Sequence, residues 1–217
     1  MKPEFVIFDM DGLILDSEWL FMTQKATVMQ KYGYTQKKED YLKTVGTGGE
    51  TLRNILVELY GEDYPMEQIT RDTRAAVNRW IEENGPPVKK GIRELMEYLY
   101  SAGIPMCVAT TTDSLNAKNY MQRSGLLPYL SFIIGGETVH RSKPDPEIFI
   151  KAMEHAGVTE NNCIVLEDSP NGIRAAVNAG ISVIAIPDMI PIPDELQSQI
   201  LAEVVSADQA IDLMKNM

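Results

Sequence analysis

Phe5-Val6-Ile7-Phe8-Asp9-Met10-Asp11-Gly12 is the stretch on which the reading of this chain turns. Apolar residues run without interruption into two carboxylates and a glycine. An apolar run of this length reads as a strand buried on both faces of a parallel sheet. Bringing two anions to the end of such a strand is costly unless something cationic meets them. A divalent metal or a lysine is the usual partner. Gly12 permits a sharp turn where a side chain would obstruct. By itself the octapeptide also fits a strand followed by a solvated Asp-x-Asp-Gly turn, or a fragment of a calcium loop.

Outward from this point, β-branched apolar runs recur at 104–109, Phe132–Ile134, 164–166 and 183–186. Helical patterns at 116–123, 146–156 and 171–179 separate them, with Pro144 and Pro146 suited to a helix start and Gly180 to a stop. Alternating strand and helix gives crossover connections, hence a parallel sheet covered on both faces. The expected fold is α/β, a Rossmann-like doubly wound parallel sheet.

Residues 16–85 break the alternation. They contain no strand pattern, only apolar residues at three- and four-residue spacing over 17–32, 50–60 and 66–83. Gly46-Thr47-Gly48-Gly49 and Gly61 punctuate them. The expectation is a small inserted all-helical domain at 16–85, within a core formed by 1–15 and 86–217. Its hinges would lie at 13–16 and at Asn84-Gly85-Pro86-Pro87. The alternative is a set of helices packed flat on the sheet as ordinary structure.

A length of 217 residues is enough for one large domain plus an insert. A net charge of −11 argues against a nucleic-acid surface, which needs clustered Lys and Arg. It also means that an anionic substrate must be attracted by local positive charge. Cys107 and Cys163 both sit in apolar runs and read as buried free thiols of a reducing compartment. The sequence shows no signal-like leader and no run long enough to cross a membrane. A cytoplasmic monomer without nucleic-acid or membrane partners is expected.

Three polar clusters follow strands, where open α/β sheets bind their ligands. Thr110-Thr111-Thr112-Asp113 precedes a helix and reads either as an anion cradle or as a simple N-cap. Ser142-Lys143-Pro144-Asp145-Pro146 places a lysine between a strand and a helix. Leu166-Glu167-Asp168-Ser169-Pro170-Asn171-Gly172 brings two more carboxylates, or an acidic helix start favoured by the macrodipole. Together they are far more specific than singly. Asp9, Asp11 and Asp168 offer the hard oxygens that Mg²⁺ prefers, while Lys143 and Thr110 can hold a phosphoryl group.

These residues closely resemble the haloacid dehalogenase superfamily of phosphohydrolases, within it the β-phosphoglucomutase-like group with a helical cap. The match covers essentially the whole chain: Asp9-Met10-Asp11-Gly12 with Asp16-Ser17-Glu18, then Thr110, Lys143-Pro144, and Glu167-Asp168-Ser169 with Gly172. The resemblance implies that Asp9 is the nucleophile forming an aspartyl-phosphate, and Asp11 the general acid and base. It implies a Mg²⁺ site at Asp9, Asp11 (through its backbone carbonyl) and Asp168, with Glu167 close by or acting through water. Thr110 and the Thr111 N–H would bind phosphoryl oxygens, and Lys143 would screen charge. Dehalogenation needs no metal, so the acidic pair Asp11 and Asp168 points to phosphate chemistry.

In this group a loop of the cap often contacts substrate. Here it would be 45–50, so Gly48, Gly49 and Glu18 are candidate substrate-binding residues. β-Phosphoglucomutases place an arginine in that loop and a histidine where Phe21 stands. Gly48 or Gly49 occupies the arginine's position, and Arg53 lies further on. Phosphonatases use a cap lysine as a Schiff base. Nothing in the sequence argues for a depressed pKa at Lys25, Lys31, Lys37, Lys38 or Lys43. The expected activity is Mg²⁺-dependent hydrolysis of a small phosphorylated metabolite, a sugar phosphate above all. A phosphosugar mutase and a catalytically silent phosphate-binding protein are the alternatives.

Overall fold

The computed structural model describes residues 3–216. Residues up to Asp16 and from Pro86 onward form one compact unit, and Ser17–Gly85 form a second. In the first unit, six parallel strands make one sheet: β1 (Phe5–Phe8), β2 (Met106–Ala109), β3 (Phe132–Ile134), β4 (Cys163–Glu167), β5 (Ser182–Ala185) and β6 (Ala202–Glu203). Their order is β3-β2-β1-β4-β5-β6, with β1 at the centre. From β1 the chain builds outward on one side through β2 and β3, then returns to lay β4 on the other. That reversal beside β1 is where a doubly wound sheet opens a crevice at its carboxyl edge.

The helices, in chain order, are α1 (Ser17–Lys31), α2 (Lys38–Leu42), α3 (Gly49–Tyr60), α4 (Met66–Asn84), α5 (Ile92–Ser101), α6 (Ser114–Arg123), α7 (Glu147–Ala156), α8 (Pro170–Asn178), α9 (Asp194–Gln197) and α10 (Ala207–Lys215). The strands divide their side chains with the two-residue period of a pleated sheet. Val6, Phe8, Met106, Val108, Ile164, Leu166 and Ile184 join α5, α6 and α10 in one core. Phe5, Ile7, Cys107, Ala109, Cys163, Val165, Val183 and Ala185 join α7, α8 and Leu196 of α9 in the other. Both faces are dry, which is why the strand sequences show continuous apolar runs rather than alternation. Cys107 and Cys163 are buried free thiols.

The second unit contains α1 to α4 and no strand among its residues. Val28, Met29, Leu56, Tyr64 and Ile69 form its own small core. Tyr64 stacks with Tyr60 at 4.9 Å between centroids and meets Tyr34 edge-on at 5.1 Å. Asp16 belongs to the first unit, its N–H donating to the Pro87 carbonyl at 2.8 Å.

The observed strands depart from the sequence reading by a residue or two at their ends. The short edge strand β6 and helices α2, α5, α9 and α10 are additional. Ile92, Leu95, Met96 and Leu99 give α5 a buried stripe at helical spacing, the same signal used for the other helices. Only β6, two residues long, carries no sequence signal; it exists because β5 offers it an edge.

Candidate active site

Strand register assembles the site. Phe8 pairs with Val108 on one side and Leu166 on the other. The next residues therefore emerge at neighbouring strand ends: Asp9 after β1, Thr110 after β2, and Glu167 and Asp168 at the end of β4. The Asp9 N–H still donates to Leu166 O at 3.1 Å, holding the start of this loop to the sheet. Gly12 then turns with φ +85°, and a Cβ there would lie 2.3 Å from Asp168 Oδ2. Glycine is required both for the backbone and for the carboxylate beside it. Lys89 ties the turn down, its Nζ donating to Gly12 O at 2.8 Å and to Asp188 Oδ1 at 2.6 Å.

Lys143 is the hub. Its ammonium is buried over the Phe149 ring, ion-pairs with Asp9 Oδ1, and reaches Glu167 Oε1 at 2.8 Å. The other Glu167 oxygen accepts from the Ser169 N–H at 2.7 Å and the Ser169 hydroxyl at 3.1 Å. Ser169 also caps α8, its Oγ accepting from the Gly172 N–H at 3.1 Å, and Pro170 starts the helix without needing a donor. A Cβ at Gly172 would lie 1.5 Å from Glu167 Oε1, so this glycine makes room for the carboxylate.

Carboxylate oxygens of Asp9, Glu167 and Asp168 lie within 4.8 Å of one another. Three buried carboxylates face one lysine, and Asp168 Oδ1 is buried with no hydrogen-bond partner. Such a group is expensive to leave unmet. Burial, chiefly, pushes the Asp9 carboxyl up to about 7; Lys143 opposes this, while Glu167 and Asp11 add to it. Burial also pushes Asp168 well above the usual carboxylate range, with Glu167 and Asp9 reinforcing the effect. Burial alone would lower the Lys143 ammonium, but Asp9 and Glu167 outweigh it and hold the group charged. Two surplus negative charges and an orphaned oxygen suit a divalent cation with oxygen ligands.

Asp11 stands apart from this cluster. Its Oδ2 accepts from the Thr112 hydroxyl at 2.7 Å and from Thr110 Oγ at 3.3 Å. Thr110, fully buried, in turn accepts from the Thr112 N–H at 3.0 Å. Asp11 is half-buried and aimed by two hydroxyls. The carboxylate group of Asp11 is thus not among those gathered for a metal, although its backbone follows directly on Asp9 and Met10.

The structure thus brings together Asp9, Asp168, Glu167 and Lys143, with Asp11 and Thr110 linked beside them. The Thr111 side chain is exposed, and its carbonyl lies against Gly136, where a Cβ would come within 2.2 Å; the group expected to serve a phosphoryl oxygen is its backbone N–H, which does not depend on that side chain. Glu18, Gly48 and Gly49 belong to the helical unit. Glu18 accepts from the Tyr41 hydroxyl at 2.8 Å and lines a cavity of about 300 Å³. Gly49 lines a separate shallow depression of about 910 Å³ with Glu50, Arg53 and Asn54. Thr112 was accessible to sequence reasoning, since it lies in the threonine run, but only the fold shows that it holds Asp11. Lys25 carried no sequence signal at all. It is nine-tenths buried, and burial lowers its ammonium below the ordinary lysine value.

Residues 6–186 match the family described as haloacid dehalogenase-like hydrolase. A Drosophila melanogaster protein named probable pseudouridine-5′-phosphatase is 32% identical over 193 residues, covering 86% of this chain and 83% of that protein. A Thermotoga maritima phosphorylated carbohydrates phosphatase is 30% identical over 182 residues, covering 82% of each. Among solved structures, a Thermotoga maritima protein described as a candidate β-phosphoglucomutase superimposes with a TM-score of 0.81 at 27% identity, over 100% of both chains.

Proposed function

The chain belongs to the haloacid dehalogenase-like hydrolase family, a phosphohydrolase by its relatives, and from that premise we propose a Mg²⁺-dependent phosphatase for small phosphorylated metabolites, sugar phosphates above all. The observation that carries this reading is the Asp9–Lys143–Glu167 bridge beside the orphaned oxygen of Asp168. In it a carboxylate placed to act as nucleophile, a fixed ammonium and an unpartnered carboxylate oxygen meet at one strand edge.

Asp9 is the residue to attack phosphorus, forming an aspartyl-phosphate as the alcohol leaves. Asp11 gives its proton to the departing oxygen and then takes one from the water that hydrolyses the intermediate. The Thr112 and Thr110 hydroxyls fix its orientation, so it need not search for either position. Lys143 is held immobile by two carboxylates and offsets the repulsion between Asp9 and an incoming phosphate. Asp9, Glu167, Asp168 and the Asp11 backbone carbonyl would hold Mg²⁺. When bound, it neutralises the surplus charge and favours the ionised form of Asp9. Thr110 and the N–H of Thr111 complete the phosphoryl site. The helical unit, through Glu18 and the 45–50 loop with Gly48 and Gly49, selects the alcohol.

Hydrolysis of p-nitrophenyl phosphate before and after exhaustive EDTA treatment tests this. Activity should fall at least about a hundredfold, return with Mg²⁺, and stay low with Ca²⁺, which prefers more ligands at longer distances. Undiminished turnover in EDTA would reject the proposal.

A phosphosugar mutase is the second reading. Arg53 lines the depression that contains Gly49 and Glu50, and it has no carboxylate within ion-pair distance among the described residues. A fork-shaped guanidinium there could hold a second phosphate. Given β-glucose 1-phosphate and a bisphosphate primer, the phosphatase releases inorganic phosphate faster than glucose 6-phosphate forms. A coupled dehydrogenase assay showing the reverse order would establish the mutase.

A further inference from the structure

The helical unit contains a buried cation that nothing in the unit neutralises. Lys25, on α1, is 9% exposed and lines the cavity of about 300 Å³. Its ammonium lies 5.6 Å from the centre of the Tyr41 ring and has no hydrogen bond or ion pair among the described residues. Lysines are almost never this buried without a partner. Burial of this kind lowers the ammonium, and no neighbouring carboxylate offsets that effect.

The wall of the same cavity supports one kind of occupant. Thr70 and Arg74 line it from α4; Arg74 is exposed to solvent and has no ion-pair partner among the described residues, so it adds positive charge at the wall. Tyr64 contributes a hydroxyl that is buried with no hydrogen-bond partner. Thr44 and Thr47 line it too, but their hydroxyls already donate to the Tyr41 and Thr44 carbonyls. Glu18 is the one carboxylate on the cavity, and it accepts from the Tyr41 hydroxyl. Two cations against one engaged anion leave the cavity net positive, in a chain whose formal charge is −11. Unmet donors concentrated in one cavity are complementary to an acceptor-only ligand.

We propose that the cavity bounded by Lys25, Tyr41, Tyr64, Thr70 and Arg74 is an oxyanion-binding site for a carboxylate or phosphate group, with Lys25 as its principal charge. The anion is either free or carried on the alcohol portion of a phosphorylated substrate; the second source rests on the phosphatase reading above. A substrate carrying it would be a phosphomonoester with a second acidic group.

Calorimetric titration of the EDTA-treated full-length protein with inorganic phosphate and with malonate tests the site. Removing the metal withdraws the divalent cation from the sheet-edge site, and comparison with Lys25→Met assigns the remaining binding to the cavity. One site is expected, weakened at least about tenfold by Lys25→Met, as loss of a charge-assisted hydrogen bond requires. Lys25→Arg should retain most of the affinity, and Lys31→Met, an exposed position on the same helix, should bind as the unaltered protein does. A melting curve confirms that each variant is folded. Absence of binding in the unaltered protein, or equal binding by Lys25→Met, would overturn the proposal. A second arm compares kcat/KM for phosphoglycolate and p-nitrophenyl phosphate with Mg²⁺ present. If Lys25→Met lowers their ratio about tenfold, the anion belongs to the substrate. If binding depends on Lys25 while the ratio stays constant, the site is for a free anion. Loss of all hydrolysis in the unaltered protein would count against the phosphatase reading and leave the calorimetric result standing.

Discussion

The two units differ in what surrounds their buried polar groups. At the sheet edge, Asp9, Thr110, Lys143 and Glu167 are each tied to partners on neighbouring strands or loops, and the buried oxygens left unmet are carboxylate acceptors, Asp168 Oδ1 and Asp188 Oδ2. In the helical unit, the Lys25 ammonium and the Tyr64 hydroxyl are left without partners around a cavity. A parallel sheet can hold a dense polar network because its register fixes strand ends to within a hydrogen bond. Four helices around a small core of Val28, Met29, Leu56, Tyr64 and Ile69 have no such ruler. Chemistry that depends on fixed geometry suits the first setting, and ligand choice, which tolerates variation, suits the second.

The sharpest way to break this comparison is to remove the proposed nucleophile. Asp9→Asn keeps the shape and should lower kcat on p-nitrophenyl phosphate by at least about a thousandfold, since phosphate monoesters barely hydrolyse unaided. Retention of a tenth of the activity would end the assignment. Lys143→Met comes next. Its site is buried, so water cannot replace the charge, and kcat should fall about a hundredfold. A drop of less than about fivefold would show that the lysine is structural.

Stability against pH separates the units more gently. Asp9 has a folded pKa of about 7 against an ordinary 3.8, because burial favours its neutral form. The metal-free folded state therefore holds a proton that the unfolded chain has released. Stability from this source is fully present below about pH 4 and is lost as pH rises through about 7. Asp168 is shifted in the same direction. In EDTA the melting temperature should be lower at pH 8 than at pH 5, and added Mg²⁺ should raise it most at the higher pH. A melting temperature that rises over that interval would contradict the burial argument.

The smallest expected effect concerns the glycine loop. Gly48 has extended backbone at φ −156° and open space around its Cβ position. Gly49 has φ +58°, also with open space. Gly48→Ala should change stability by less than about 0.5 kcal/mol, while Gly49→Ala should cost about 1 kcal/mol through left-handed strain alone. Denaturant midpoints would show this; equal costs would mean that the loop contacts something through its side-chain positions.

Read alone, the sequence reveals the sheet and which polar residues reach its edge. Phe5–Phe8 and its counterparts are too apolar to lie anywhere but between two layers of helix, and each runs into polar residues with nowhere to go except the carboxyl end. That logic is local, so it can be read along the chain. The absence of strand pattern over 16–85 was equally local and matches the all-helical content of Ser17–Gly85. Tertiary structure alone decided which polar residues face one another. Thr112 and Thr110 hold Asp11 through their hydroxyls, while the Thr111 side chain between them is turned outward to solvent. Glu167 is clamped by Ser169 and Lys143, which no spacing rule foretells. Lys25 resembles any surface lysine in the sequence, and becomes buried only when α1 and α4 pack with the chain around Tyr41 and Tyr64. A side chain's burial depends on segments distant in sequence, and that non-local dependence is why only the folded chain reveals it.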